Sequence, residues 1–446
     1  MIPEVFSDHR ICIVGLGYVG MTLAVAMADV GYTIVGIEKN TEIFNHLDNG
    51  RAHFSENGLD HRLASVIKAG RFSFQTHIPR DDTSTVFVIT VGTPVGEHKL
   101  TKIEGIKGVA EEVEAVLKPN DLVILRSTVR VGVTRDVVKP ILDKAGVPYQ
   151  LAFCPERTIE GKAIEELRSL PQVVGGIDMA STLRAGQLFH MLTPSIIRVS
   201  SLEAAEMIKL VNNTHRDIMF AFANEIAMAA EVAGLSASEV IRAGNLGYPR
   251  GGVAFPGPVG GPCLEKDPYI FAEGLATYGF TPELSLAGRR LNERLPVHSV
   301  TSIKRLVEKR GLSPSRIAIL GLAFKGRPET SDLRGSLAGA FIRSLKAAFP
   351  YAEIVGWDPI VPPDLAAADL GIPIASSLND SADGSDILFI QTNHQSFKDL
   401  DFAALSARMR TKGIIYDVWG QNEAEESLPL TNSVAYTSLG SAIVKE

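Results

Sequence analysis

The stretch Phe255 to Pro268, FPGPVGGPCLEKDP, sets a cysteine behind a run of glycine and proline and follows it with Lys266 and Asp267. A thiolate is a strong nucleophile, and a nearby cation favours that ionised form. Cys263 is therefore either a small core hydrophobe, the common state of a free cysteine, or a reactive thiol. The loop alone leaves both readings open. The chain has two other cysteines, Cys12 and Cys154. Their wide spacing matches no zinc-ligand pattern, so no metal is expected, and the odd count argues against a disulfide framework.

A second constellation lies near the start. Gly15, Gly17 and Gly20 stand in G-x-G-x-x-G spacing within GLGYVG, and Glu38 follows Gly15 by 23 positions. The flanking elements give this spacing meaning. RICIVG reads as a buried strand, MTLAVAMADVGY as a helix and YTIVGIE as a second strand ending at Glu38. In such a unit the second glycine admits a pyrophosphate and the helix N-terminus attracts its charge. The acidic residue accepts hydrogen bonds from a ribose diol and repels a 2′-phosphate, so the pattern predicts NAD rather than NADP. Further strands, STVFVITVGTP, LVILRST and YQLAFCPE, run to Thr93, Ser127-Thr128 and Glu156. Ligands of open parallel sheets sit at such carboxyl ends.

The segment from Ser201 to Gly234 has no proline and reads as one long helix, with Ser200 and Glu203 spaced as a capping box. Lys209, Asn213 and Arg216 share a face, with Glu206 one turn earlier. This is either a solvated stripe or the wall of a cleft. Beyond it the chain repeats itself: IAILGLAFKG at Ile317 to Gly326 aligns without a gap on ICIVGLGYVG at Ile11 to Gly20, and Asp358 stands where the first copy has Glu38. Ala323 replaces Gly17 and Lys325 replaces Val19. The second turn should suit a dinucleotide less well, while Lys325, with Arg327 and Arg334 nearby, offers charge to phosphate.

The 446 residues suggest two or three domains. A net charge of -7 argues against a nucleic-acid partner. No apolar run is long enough to span a membrane, and MIPEVFSDHRICIVG lacks the basic start of a signal peptide, so a cytoplasmic protein is expected.

Taken together, GLGYVG, VGTP, ILRSTVRVGVT, CPERTIEG, EMIKLVNNT with FANE, GPVGGPCLEKDP and GLAFKGRPETSDLRGS resemble the UDP-glucose/GDP-mannose dehydrogenase family of nucleotide-sugar 6-dehydrogenases over nearly the whole chain. The resemblance implies an α/β fold: two Rossmann-like, doubly wound parallel-sheet domains joined by a long central helix with a small helical middle domain. The expected boundaries are 1–200 for the NAD-binding domain, 201–300 for the helical domain and 301–446 for the UDP-sugar-binding domain. It implies NAD-dependent, four-electron oxidation of a sugar C6 hydroxyl to a carboxylate, with Cys263 capturing the aldehyde as a thiohemiacetal and then a thioester. Lys209 and Asn213 would steady the oxyanion, and Asp267 would serve as acid/base. Thr128 and Glu160 would position water, and Glu156 would face the sugar. Gly15, Gly17, Tyr18, Val19, Gly20, Glu38, Thr93 and Thr128 fall on cofactor positions. Glu156, Lys209, Asn213, Arg250, Phe255, Gly260, Lys325 and Arg334 fall on nucleotide-sugar positions. A homodimer through the central helix is implied.

The chain departs from the family pattern in two places. Ile43 stands where many relatives carry a basic residue, and Asp417-Val418-Trp419 lacks the arginine of an Asp-x-Arg that reaches the cofactor. Asp267-Pro268 looks like the N-acetylhexosamine branch, so a UDP-N-acetylhexosamine is expected, with UDP-glucose as the alternative. A short hydroxyacid dehydrogenase would leave the third region and Cys263 without a role. A silent nucleotide-sugar sensor would not need Cys263, Lys209 and Asp267 together.

Overall fold

In the computed structural model, which describes residues 7–96, 98–422, 428–442 and 444–445, each apolar run read above forms a strand. Two compact units result. The first comprises Met1–Asn213 with Tyr269–Pro282, and the second Thr214–Pro268 with Glu283–Glu446. Residues 201–300 are thus shared between them, and the chain passes from one to the other inside the helix Leu202–Ala233.

The first unit carries an eight-stranded sheet. Its strands are β1 (Arg10–Val14), β2 (Thr33–Ile37), β3 (Phe72–Gln75), β4 (Val86–Ile89), β5 (Leu122–Leu125), β6 (Gln150–Phe153), β7 (Gln172–Gly176) and β8 (Ile196–Arg198), in the order β3-β2-β1-β4-β5-β6-β7-β8. VFVI of β4 and LVIL of β5 are buried throughout, as strands covered on both faces must be. The sheet is parallel from β3 to β6, but β7 pairs antiparallel with β6, so it is mixed at that edge. Strand order reverses between β1 and β4, which makes the crevice there the switch point of the sheet.

Helix α1 (Tyr18–Val30) begins three residues before the expected MTLAVAMADVGY and stops at Gly31, whose φ of 117° ends it in a left-handed cap. The long helix Leu202–Ala233 has 32 residues and so spans about 48 Å. Its cap differs from the expected box. Ser201 Oγ, not Ser200, accepts from Ala204 N–H at 3.2 Å. Glu203 pairs with Arg135 at 2.5 Å.

The second unit has five parallel strands: β9 (Arg316–Leu320), β10 (Glu353–Trp357), β11 (Ile387–Ile390), β12 (Ile414–Asp417) and β13 (Ala435–Ser438), in the order β10-β9-β11-β12-β13. Here no helix follows the glycine turn directly. A loop covers 321–337 before the helix Ala338–Ala348 begins. Among the described residues no helix is long and apolar enough to cross a membrane.

Candidate active site

Of the residues singled out from the sequence, those up to Asn213 belong to the first unit, and those from Arg250 onward to the second.

The first glycine turn is shaped for a diphosphate. Gly15 has φ 94°, and its N–H donates to Ile37 O at 2.8 Å. A Cβ on Gly17 would meet nothing within 4 Å, so the turn faces open space. A Cβ on Gly20 would lie 1.8 Å from Gly15 O, so only glycine lets α1 start this close to the strand. Gly17 caps α1 without a side-chain bond, leaving the first helical N–H groups uncapped by side chains. Glu38 Oε2 accepts from Leu16 N–H at 2.9 Å, and Oε1 accepts from Lys39 and Asn40 N–H at 2.8 and 2.9 Å. The carboxylate is fixed by three amides, and a carboxylate has about four acceptor sites, so it keeps capacity for a hydroxyl. These features fit a dinucleotide.

Several predicted residues are brought together or given structural partners at the strand ends. Thr93 Oγ1 donates to Thr128 O at 2.5 Å, joining two candidate positions. Tyr18 reaches Glu56 at 2.5 Å, and Glu56 also accepts from Gly161 and Ala163 N–H at 2.7 and 2.8 Å. The Tyr18 side chain thus helps fix the loop that carries Glu160; Val19 lies half-buried in the first turn of α1. Glu156 is buried against Arg126, 2.5 Å away, and accepts from Arg157 and Thr158 N–H at 2.7 and 2.8 Å. Burial pushes its pKa up, but the Arg126 charge, the Thr158 amide and Lys209 outweigh it and hold the carboxyl below its ordinary value. Arg126 escapes sequence reasoning; its only signal is an arginine in an otherwise apolar strand end, LVILRST.

The helix stripe divides. Lys209 is buried, Asn213 half-buried and Arg216 exposed. Glu206 is buried and accepts from Gly132 N–H, Thr134 N–H and Thr134 Oγ1 at 2.6, 2.9 and 2.5 Å. It therefore fastens the loop after Thr128. Burial raises its pKa from 4.5 to about 7, against the pull of those donors.

In the second unit Cys263 is exposed, whereas Cys12 and Cys154 are buried. Burial raises the Cys12 thiol far above its ordinary range and pushes Cys154 up to about 12. Cys263 O accepts from Lys266 and Asp267 N–H at 3.2 and 2.9 Å, so the thiol sits in the turn that opens the helix Asp267–Ala276. Asp267 is buried at its first position. The loop glycines have a tighter purpose than adaptability. A Cβ on Gly257 would lie 2.5 Å from the Trp419 ring, on Gly260 2.3 Å from Gly335 O, and on Gly261 2.5 Å from the Phe324 ring. The cysteine loop is pressed onto the 321–337 loop, where Gly261 N–H donates to Gly335 O at 2.8 Å.

The second glycine turn copies the first in its backbone. Gly321 has φ 81° and donates to Trp357 O at 2.8 Å, and Asp358 Oδ2 accepts from Leu322 and Ala323 N–H at 2.6 and 3.2 Å. Lys325 is half-buried with its ammonium 5.2 Å from the Phe324 ring centre. Arg334 is exposed and paired with Asp332 at 2.6 Å. Arg250 lies over Tyr248 and is exposed, as is Phe255. Trp419 packs edge-on to Phe220 and donates Nε1–H to Gln391 O at 3.1 Å, so it fills space against the cysteine loop. Among the described residues no group of three His, Cys, Asp or Glu could hold a metal ion.

Three sequence profiles match in chain order: the UDP-glucose/GDP-mannose dehydrogenase family NAD binding domain at residues 9–193, its central domain at 203–294 and its UDP binding domain at 318–423. The chain belongs to the UDP-glucose/GDP-mannose dehydrogenase family. It is an oxidoreductase that uses NAD and takes a nucleotide-sugar substrate. It is 32% identical over 417 residues to a UDP-N-acetyl-D-mannosamine dehydrogenase of Pyrococcus horikoshii, covering 91% of this chain and 94% of the relative. It is 29% identical to a UDP-N-acetyl-D-glucosamine 6-dehydrogenase of Pseudomonas aeruginosa, covering 92% and 97%. A solved UDP-glucose dehydrogenase from Pyrobaculum islandicum superposes with a TM-score of 0.86 at 26% identity, covering 99% and 100%.

Proposed function

We propose that this protein oxidises the C6 hydroxyl of a UDP-N-acetylhexosamine to the uronic acid, with Cys263 as the covalent relay. The observation that carries the relay is that Cys263 is exposed while the other two cysteines of the chain are buried. The N-acetylated sugar is supported by the relatives named above and by Asp267-Pro268 after the cysteine motif.

The residues of the Gly15 turn and Glu38 hold NAD, which when bound supplies the hydride acceptor for both oxidations. The alcohol loses a hydride and a proton to become the aldehyde. The Cys263 thiolate adds to that carbonyl, and Lys209 and Asn213 stabilise the oxyanion that forms. Loss of a second hydride from the thiohemiacetal carbon leaves a thioester. Water positioned by Thr128 and Glu160 adds to it, the carbon–sulfur bond breaks, and the thiol returns with Asp267 managing its proton. One alcohol, two NAD and one water give one carboxylate, two NADH and three protons. Glu156 enters this scheme as a fixed carboxylate that orders the loop before Glu160, and Lys325, Arg334, Arg250, Phe255 and Gly260 as the nucleotide-sugar contacts.

Incubation with NAD and UDP-N-acetylmannosamine, UDP-N-acetylglucosamine or UDP-glucose, with product mass and NADH counted, tests this reading. Two NADH per N-acetylated uronate are expected. One NADH with a free aldehyde, or turnover of UDP-glucose alone, overturns it. A homodimer through the long helix is also proposed, since Met219 and Phe222 present apolar surface there; light scattering at the mass of one chain would refute it. A reducing cytoplasm suits a chain whose relay is a thiol that must stay reduced.

A further inference from the structure

The loop that carries Cys263 has little regular structure of its own, yet it is gripped from below. Arg289, on the helix Glu283–Arg310, is 1% exposed. Its Nη2–H donates to Val259 O at 3.1 Å and its Nη1–H to Leu264 O at 2.9 Å. The two carbonyls lie on either side of Cys263, and one planar guanidinium holds both. A buried guanidinium needs a counter-charge, and Asp217, 0% exposed on the long helix, supplies it at 2.9 Å. Asn292 donates to Asp217 Oδ1 at 2.9 Å, and Asn224 accepts nothing from solvent: it bonds Asn292 Oδ1 at 2.9 Å and clasps Gly257 through both O and N–H, at 3.1 and 2.9 Å. Three points of the loop, Gly257, Val259 and Leu264, are thus tied to one buried network. Arg290, the next residue, is exposed and has no place in it.

We infer that Arg289 is a positioning residue for the Cys263 thiol, with Asp217, Asn292 and Asn224 as its supports. This rests on the relay reading of Cys263. Lysine could replace the charge opposite Asp217 but not the fork that spans two carbonyls. The loop would then sample several placements of sulfur, and misplacing a reacting atom by about 1 Å costs up to about 100-fold in rate.

The test compares Arg289→Lys with wild type and with Arg290→Lys, using NAD and the UDP-sugar that wild type oxidises fastest, and iodoacetamide as a probe of Cys263. Arg289→Lys should lose about 10- to 100-fold in kcat per folded molecule, with KM for both substrates nearly unchanged. Its Cys263 alkylation rate should differ from that of wild type at every pH from 6 to 9. Arg290→Lys should match wild type in all readings. A folded Arg289→Lys with wild-type kcat and alkylation overturns the proposal, as does a loss confined to melting temperature. If Arg289→Lys does not fold, Asn224→Ser, which releases the Gly257 clasp and the bond to Asn292 but leaves Arg289 in place, is read in the same way. Hydrogen exchange on the wild-type enzyme needs no variant: the Gly257 amide should be protected, and exchange at the rate of an open loop overturns the grip. Wild-type turnover in Cys263→Ser sinks the relay reading instead, while the alkylation rates still decide whether Arg289 sets the loop.

Discussion

Cys263→Ser removes little volume and leaves the backbone bond from Asp267 N–H to its carbonyl intact, so the fold and NAD affinity should survive. Steady-state formation of acid should fall by at least about 1000-fold, because a hydroxyl without a dedicated base is a poor nucleophile. Mass spectrometry of quenched wild type should find a sugar adduct on the peptide containing Cys263, and its absence under turnover would count against the relay. Glu38 makes a second residue-level expectation. A 2′-phosphate near its fixed carboxylate is repelled by about 1 kcal/mol in water and about 4 at lower dielectric. The kcat/KM for NAD should therefore exceed that for NADP by about 10- to 1000-fold, and equal values would displace Glu38 from the ribose. Glu38 was singled out by its spacing from the glycine turn, whereas the Cys263 loop alone left two readings open and the resemblance chose between them. Arg126 and Arg289 were not legible, since an arginine in a strand end or an amphipathic helix reads as a solvated side chain. Their partners Glu156 and Asp217 lie 30 and 72 positions away.

The long helix was legible as an element, while its cap and the jobs of its faces were not. Spacing alone put Glu206 with Lys209 and Asn213, yet its carboxyl is spent on Gly132 and Thr134. Its pKa is raised from 4.5 to about 7, so between those values the folded state binds more protons than the unfolded one. The stability contributed by the neutral form is full below pH 4.5 and is lost as pH rises through about 7. The stability gap between wild type and Glu206→Gln, which cannot ionise, should shrink over that range by at most about 3 kcal/mol. Urea unfolding from pH 5 to 8.5 measures the gap, and a gap independent of pH would show the carboxyl ionised throughout.

At the scale of the molecule, the central strands of both sheets and the repeat were written in the apolar runs and glycine spacing, whereas β3, β7, β8 and β13 toward the sheet edges were not read. Nor was the discontinuous division of the chain. Residues 269–282 return to the first unit through contacts such as Glu273 with Thr101 and Arg130, and no local pattern announces a pairing 172 positions long. Under the proposed function the two glycine turns, which lie on different units, take separate ligands. Lys325→Ala should raise KM for the UDP-sugar by about 10- to 100-fold, the worth of a charge-assisted bond to phosphate. Calorimetric NAD affinity should stay within about twofold, since Lys325 belongs to the other unit and takes no part in the Gly15 turn. Loss of NAD affinity with an unchanged sugar KM would reverse the assignment.

The two turns share a glycine in left-handed conformation and an acid that clamps the next amide, Glu38 on Leu16 and Asp358 on Leu322. The clamp fixes the turn and does not choose its ligand. Transplanting GLGYVG into the second copy would reproduce the dinucleotide spelling but not its meaning. Behind the first copy a helix starts at Tyr18, whereas behind the second a loop runs on and the next helix begins only at Ala338. Such a chimaera would carry a fingerprint that any motif search accepts and that no pyrophosphate would find answered by a helix end.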